Sequence, residues 1–218
     1  MESPKERAGR AAADHVEDGM RVGLGTGSTV NHTIHALGER ALDIVCAATS
    51  ERTHELASSL GLRVVTPDQI ERLDIAIDGA DEIDPGLNLI KGGGGAHTRE
   101  KIVAEMAERF IVVADESKLV SRLGAFKVPL EALPFAPAVV AARVRELGAA
   151  DVKQRDAMSD NGNALLDADF GLIEDPAALA SALDAIPGLV EHGLFLGSTV
   201  ERAVIGFEEE IRELKHAG

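Results

Sequence analysis

Three stretches of this chain set reactive side chains beside glycine. In Lys91-Gly92-Gly93-Gly94-Gly95-Ala96-His97-Thr98-Arg99-Glu100, a cation opens a run of glycines and a carboxylate follows it. Consecutive glycines are costly to order, and without Cβ atoms their N–H groups can face a ligand at close range. The run is either a linker or a binding loop. Leu89-Ile90 leads in and the amphipathic pattern of Ile102, Val103 and Met106 leads out, which favours a loop between ordered elements. A lysine, several free amides and a carboxylate in the first helical turn suit chemistry in which a proton moves while negative charge develops nearby. Taken alone, Glu100 would be an ordinary first-turn carboxylate favoured by the helix dipole.

In the second stretch, Gly23-Leu24-Gly25-Thr26-Gly27-Ser28-Thr29, a short apolar strand passes through a glycine turn into a helix, whose N-terminal amides can receive a phosphate. Ser28 stands where a dinucleotide fingerprint has its third glycine, and no Gly-Lys-Ser/Thr follows at P-loop spacing. Hydroxyls at Thr26, Ser28 and Thr29 suit one compact phosphate, although a plain connecting turn explains the pattern equally well in isolation. The third stretch, Asp78-Gly79-Ala80-Asp81-Glu82-Ile83-Asp84, emerges from the apolar segment Leu73–Ile77. Its carboxylates could hold Mg²⁺, but their spacing is not that of an EF-hand, and Lys91 competes for them. The histidines have no Glu-flanked or Cys-flanked metal pattern; His97 could line the pocket, and His32 with His35 reads as a helix face. No required metal is expected. Lys118, just past the apolar run Phe110–Ala114, would place a second lysine on the same rim and offset the acidic protein locally.

The elements that must carry these residues alternate. Helices are predicted over 4–18, 28–40 and 51–60, a short one after Pro67, and one after the glycine run; strands are predicted over 20–24, 43–48, 62–66, 73–77 and 110–114. Ser3-Pro4-Lys5-Glu6 is a capping-box pattern with proline at the first helical position. Repeated β-α-β units argue for a parallel sheet covered by helices, with ligands at the carboxyl ends of its strands. Pro129, Pro134 and Pro137 mark a change of texture near Phe126. Beyond it come strand 127–132, helix 137–147, strands 151–157 and 164–168, a helix opened by Asp175-Pro176, and strand 189–195, the β-α-β-β-α-β order of a ferredoxin-like fold. Strand 202–207 and helix 208–216 return to the first domain. The expected fold is therefore α/β, a Rossmann-like parallel sheet domain over 1–126 plus 200–218 and a smaller ferredoxin-like α+β domain over 127–199.

Composition narrows the function. The 218 residues carry a net charge of −15, which repels nucleic acid and anionic membrane, and no apolar run reaches the length of a membrane span. No secretory signal is visible, and the single cysteine, Cys46, in an apolar strand, fits a reducing cytoplasm. With aromatics at 3%, the acidic balance suits a high-salt cytoplasm. Stability measured against salt concentration tests this reading, and full stability at low ionic strength would remove it.

Taken together, the three motifs, in this order and with Thr98-Arg99-Glu100-Lys101 after the glycines, resemble the type A ribose-5-phosphate isomerases over nearly the whole chain. Gly95 and His97 depart from that pattern in the loop. The resemblance implies interconversion of ribose 5-phosphate and ribulose 5-phosphate without metal or organic cofactor, by a cytoplasmic homodimer or homotetramer. It implies Glu100 as catalytic base, with Asp78, Asp81 and Lys91 in the active site. Substrate would be held by Thr26, Gly27, Ser28, Thr29, Gly79, Ala80, Gly92, Gly93, Gly94 and Lys118, with Lys5 reaching the phosphate. The chemistry agrees: moving a proton between C1 and C2 through an enediolate needs a base and donors for the developing oxyanion. Burial and neighbouring carboxylates are expected to raise Glu100 toward neutrality. Two other readings stay open: a non-catalytic sugar-phosphate sensor, which would not need Glu100 with Asp78 and Asp81, and a coenzyme A transferase relative, which would use a glutamate as nucleophile.

Overall fold

The computed structural model describes residues 2–216. In chain order its elements begin α1 (Pro4–Ala13), β1 (Arg21–Leu24), α2 (Ser28–Arg40), β2 (Val45–Ala48), α3 (Glu51–Ser59), β3 (Arg63–Val65), β4 (Ile75–Asp78), β5 (Glu82–Ile83), β6 (Leu89–Ile90) and α4 (His97–Glu105). They continue β7 (Phe110–Asp115), β8 (Val128–Ala132), α5 (Pro137–Glu146), β9 (Asp151–Met158), β10 (Ala164–Asp169), α6 (Pro176–Asp184), β11 (Leu189–His192), β12 (Leu194–Phe195), β13 (Arg202–Gly206) and β14 (Ile211–Leu214). Packing groups them into two compact units, one containing the chain up to Ala80, Arg99–Lys118 and the segment from Ser198, the other Asp81–Thr98 and Leu119–Gly197. The boundary expected near residue 126 thus falls inside the second unit, which also takes the glycine run.

The first unit is Rossmann-like. Its seven-stranded sheet runs β14-β13-β7-β4-β1-β2-β3, parallel except for β14. Val22 and Leu24, Ile75 and Ile77, and Ile111 and Val113 recur at the two-residue period that turns side chains to one face, where they form a core with Ala8, Ala12, Val30, Ile34 and Leu37 of α1 and α2. On the other face Val103 of α4 lies over Gly23 of β1, where a Cβ would stand 2.5 Å from the valine methyl. Only glycine admits the helix that close. Cys46 is fully buried in β2, and burial pushes its thiol up to about 12, so it is inert at neutral pH.

The second unit contains the expected ferredoxin-like motif. Its four-stranded sheet, β11-β8-β10-β9, is antiparallel throughout, with α5 and α6 as the two connecting helices. A small antiparallel sheet, β12-β6-β5, belongs to the same unit.

Three expectations are corrected. Helix α1 ends at Ala13, not near residue 18, because the chain turns to bury Val16, and Arg40 takes up the carbonyls of Ala13 and Val16. Residues 189–195 form two strands in different sheets, broken at Gly193, whose N–H goes to Pro129 and whose carbonyl receives the Lys91 N–H. The helix expected over 208–216 is instead the edge strand β14. A tight turn with the Phe207 N–H on the Glu210 carbonyl folds it back onto β13, whose free edge supplies the ladder that a short, Glu-rich helix could not match. Among the described residues no helix is long and apolar enough to cross a membrane.

Candidate active site

In the first unit the chain winds from β1 to β2 and β3, then returns to β4 and β7 on the other side of β1, so the order reverses between β1 and β4. Ligand crevices in open α/β sheets form at the carboxyl ends of such a pair. Gly25 follows β1 and Asp78 ends β4. The Asp78 carboxylate is buried, and its Oδ1 accepts the N–H groups of Thr26 at 3.1 Å and Gly79 at 2.7 Å. Gly25 is a contact requirement: a Cβ there would lie 2.0 Å from Asp78 Oδ1.

A hydroxyl web buttresses the loop. Thr26 Oγ1 lies 2.9 Å from Thr49 Oγ1, 2.8 Å from Ser50 Oγ and 3.0 Å from Thr53 Oγ1, and Thr53 Oγ1 donates to the Gly25 carbonyl at 2.9 Å. Sequence reasoning missed these three partners. Ser50 and Thr53 have the spacing of an N-cap at α3, but nothing local tells that they also face Thr26.

Gly27 caps α2, and Ser28 and Thr29 open it, leaving first-turn amides and hydroxyls at the sheet rim. Lys5, from α1, donates to Ser28 Oγ at 3.1 Å, so these two expected phosphate contacts do meet. Lys5 also lies 4.0 Å from Asp115 at the end of β7, and Lys118 closes the short turn that follows. Burial pushes the Asp115 carboxyl up, but hydrogen bonds from Ser117 and the charges of Lys5 and Lys118 outweigh it and hold it below the usual aspartate range. Glu100 is buried, 4% exposed, in the first turn of α4, the helix seated by Val103 on β1.

In the second unit, Asp81 and the glycine run meet directly. The Gly93 N–H donates to Asp81 Oδ2 at 2.8 Å, and the Asp81 N–H to the Ile90 carbonyl at 2.7 Å. Lys91 is buried to 2% exposure, with its ammonium 5.3 Å from the centre of the Phe195 ring, a cation–π distance. Gly93 and Gly94 are exposed, so their backbone remains within reach of solutes. His97 is fully buried; a Cβ on Gly92 would come 2.6 Å from its Nδ1, so the histidine supports the loop from below.

Glu131, fully buried in β8, accepts hydrogen bonds from Thr98 at 2.6 Å, Ser159 at 2.8 Å, Asn161 at 3.0 Å and Asn163 at 2.8 Å. Burial pushes its carboxyl up, but these four donors together hold it below the usual glutamate range. Its stabilising effect is therefore complete above the ordinary glutamate pKa of about 4.3 and is lost as pH falls through the lower, folded value. Glu131→Gln, which turns an amide toward those donors, is expected to lose about 1–3 kcal/mol at neutral pH, with a smaller deficit near pH 4. Urea unfolding at both pH values checks this; an equal deficit at both would count against an ionised Glu131.

Among the described residues, Asp184, Glu191 and His192 bring ligand atoms close enough for a metal ion. His192 Nδ1 accepts the Leu194 N–H at 3.2 Å, so a neutral ring carries its proton on Nε2, which faces Asp184 Oδ1 at 3.2 Å. A metal would need that nitrogen's lone pair, and the cluster is accounted for as a hydrogen-bonded pair.

A ribose-5-phosphate isomerase A from Methanosarcina acetivorans is 53% identical over 205 residues, covering 89% of this chain and 87% of its own. The crystal structure of ribose 5 phosphate isomerase A from Neisseria gonorrhoeae superposes with a TM-score of 0.95 at 34% identity, covering all of both chains. A D-ribose-5-phosphate isomerase solved in complex with phospho-erythronic acid gives a TM-score of 0.93 at 37% identity over 97% of each chain. Fold and relatives together place the chain among the aldose–ketose isomerases. The family model for ribose 5-phosphate isomerase A (phosphoriboisomerase A) matches residues 45–210, and the chain belongs to that family.

Proposed function

We propose that this protein interconverts D-ribose 5-phosphate and D-ribulose 5-phosphate through an enediolate, with Glu100 as the base. The observation that carries this reading is a buried carboxylate in the first turn of the helix that the glycine loop feeds. Glu100 takes the proton from C2 of the open-chain aldose, the electron pair forms the C1–C2 double bond, and negative charge passes to the C1 oxygen. Transfer of the C2 hydroxyl proton to the C1 oxygen moves the charge to the C2 oxygen, and returning the carbon-bound proton to C1 then leaves the ketone at C2. Lys91 and the amides of Gly92 and Gly94 serve the developing oxyanion, where fixed donors are worth more than in water, while Gly93, whose N–H holds Asp81, lines the substrate. Asp78 and Asp81 handle hydroxyl protons, including those of ring opening. Thr26, Gly27, Ser28 and Thr29 hold the phosphate with Lys5 and Lys118, while Gly79 and Ala80 line the sugar.

The bound acid of the related structure supports this charge pattern, since a phosphorylated sugar acid pairs a phosphate at one end with a planar anionic group at the other. A coupled assay for ribulose 5-phosphate formation, run with and without chelator, tests the proposal. No ketose would end it, and loss of activity on chelation would end the metal-free part.

A further inference from the structure

We propose that Arg155, on the edge strand β9, is a positioning residue that orients the amides of the glycine loop; the inference rests on the isomerase reading. In β9 the neighbours Lys153, Gln154, Asp156, Ala157 and Met158 are all exposed, whereas Arg155 is partly covered. The ladder with β10 explains why. Gln154 pairs with Leu166 and Met158 with Ala164, so three residues of β9 stand opposite Leu165 alone. Such a bulge bends the strand and re-aims a side chain.

Asp167 grips the re-aimed guanidinium on two sides, with Nε to Oδ2 at 2.9 Å and Nη2 to Oδ1 at 2.6 Å. This bidentate pair fixes the plane of the fork. The remaining nitrogen, Nη1, then meets two carbonyls of the loop, Gly92 O at 3.2 Å and Gly93 O at 3.1 Å. The consequence lies in peptide geometry. Among the described residues no peptide is cis, and in a trans peptide the C=O and the following N–H point in opposite directions. Holding the Gly92 carbonyl turns the Gly93 N–H away from Arg155, and that N–H reaches Asp81. Holding the Gly93 carbonyl turns the Gly94 N–H away in the same manner, at a residue exposed to solutes. Glycines order themselves poorly, so an outside anchor decides which way these donors face.

Lysine could not replace the fork, because one ammonium cannot span a carboxylate bidentately and two carbonyls at once. Arg155→Ala is expected to lower kcat about tenfold to 10²-fold, the scale of an ångström-level misplacement, with KM within about threefold of wild type. Arg155→Lys is expected to lose less in the same direction, and it serves if the alanine variant does not fold. The double variant Arg155→Ala/Asp167→Ala removes the carboxylate left without its partner; it should stay as slow as Arg155→Ala. A kcat within threefold of wild type, a KM rise that matches or exceeds the fall in kcat, or recovery in the double variant would overturn the proposal. Wild-type protein that forms no ribulose 5-phosphate would remove the isomerase reading instead. Hydrogen exchange at the amides of 92–95 then decides the contact by itself: faster exchange in Arg155→Ala upholds it and unchanged exchange ends it.

Discussion

Glu100→Gln is expected to lower turnover by at least about 10²-fold, and by up to about 10⁴-fold, in protein that is otherwise folded. Glutamine fills the same volume in the same buried helical turn, so packing is preserved while the ability to accept a proton from carbon is lost. In the proposed mechanism residue 100 moves the proton and the phosphate is held by other residues, so KM is expected to change far less than kcat. Steady-state kinetics beside a melting curve separates the two effects. Near wild-type turnover with an unchanged melting temperature would mean that another group is the base.

Gly25→Ala is the second large effect, and it acts through Asp78. The new methyl would stand 2.0 Å from Asp78 Oδ1, 2.1 Å from Cγ and 2.5 Å from Cβ, so the whole carboxylate has to move. Two backbone N–H groups hold it where it is, and it is buried. Overpacking of this kind costs about 1–3 kcal/mol of stability. If Asp78 acts as proposed, its shift by an ångström is expected to cost on the order of 10²-fold in rate. Unfolding and kcat measured on one preparation check both numbers. Normal kinetics in the alanine variant would show that the position of Asp78 does not matter to the reaction.

Both arguments rest on features of unequal legibility. The glycine turn, the β-α alternation and the helix from Ser28 to Arg40 are written in local signals, and the structure bears out that helix to the residue. Glu100 in a first turn follows from the same kind of reading, since a helix start depends on the few residues around it. The second unit's β-α-β-β-α-β order was legible for the same reason. The tail was not: Ile211–Leu214 has the composition of a weak helix, and only the open edge of β13 makes it a strand.

The sequence by itself determined which residues have reactive side chains, how far apart they lie along the chain, and the class of fold that alternating apolar segments can build. Tertiary structure alone decided that Thr49, Ser50 and Thr53 converge on Thr26, that Asp115 lies beside Lys5, and that Glu131 and Arg155 hold Thr98 and the glycine carbonyls. The physical reason is range. Propensities, caps and turns act over a few residues, whereas these hydrogen bonds and ion pairs join positions from 23 to 110 residues apart, and no local pattern marks a partner that distant.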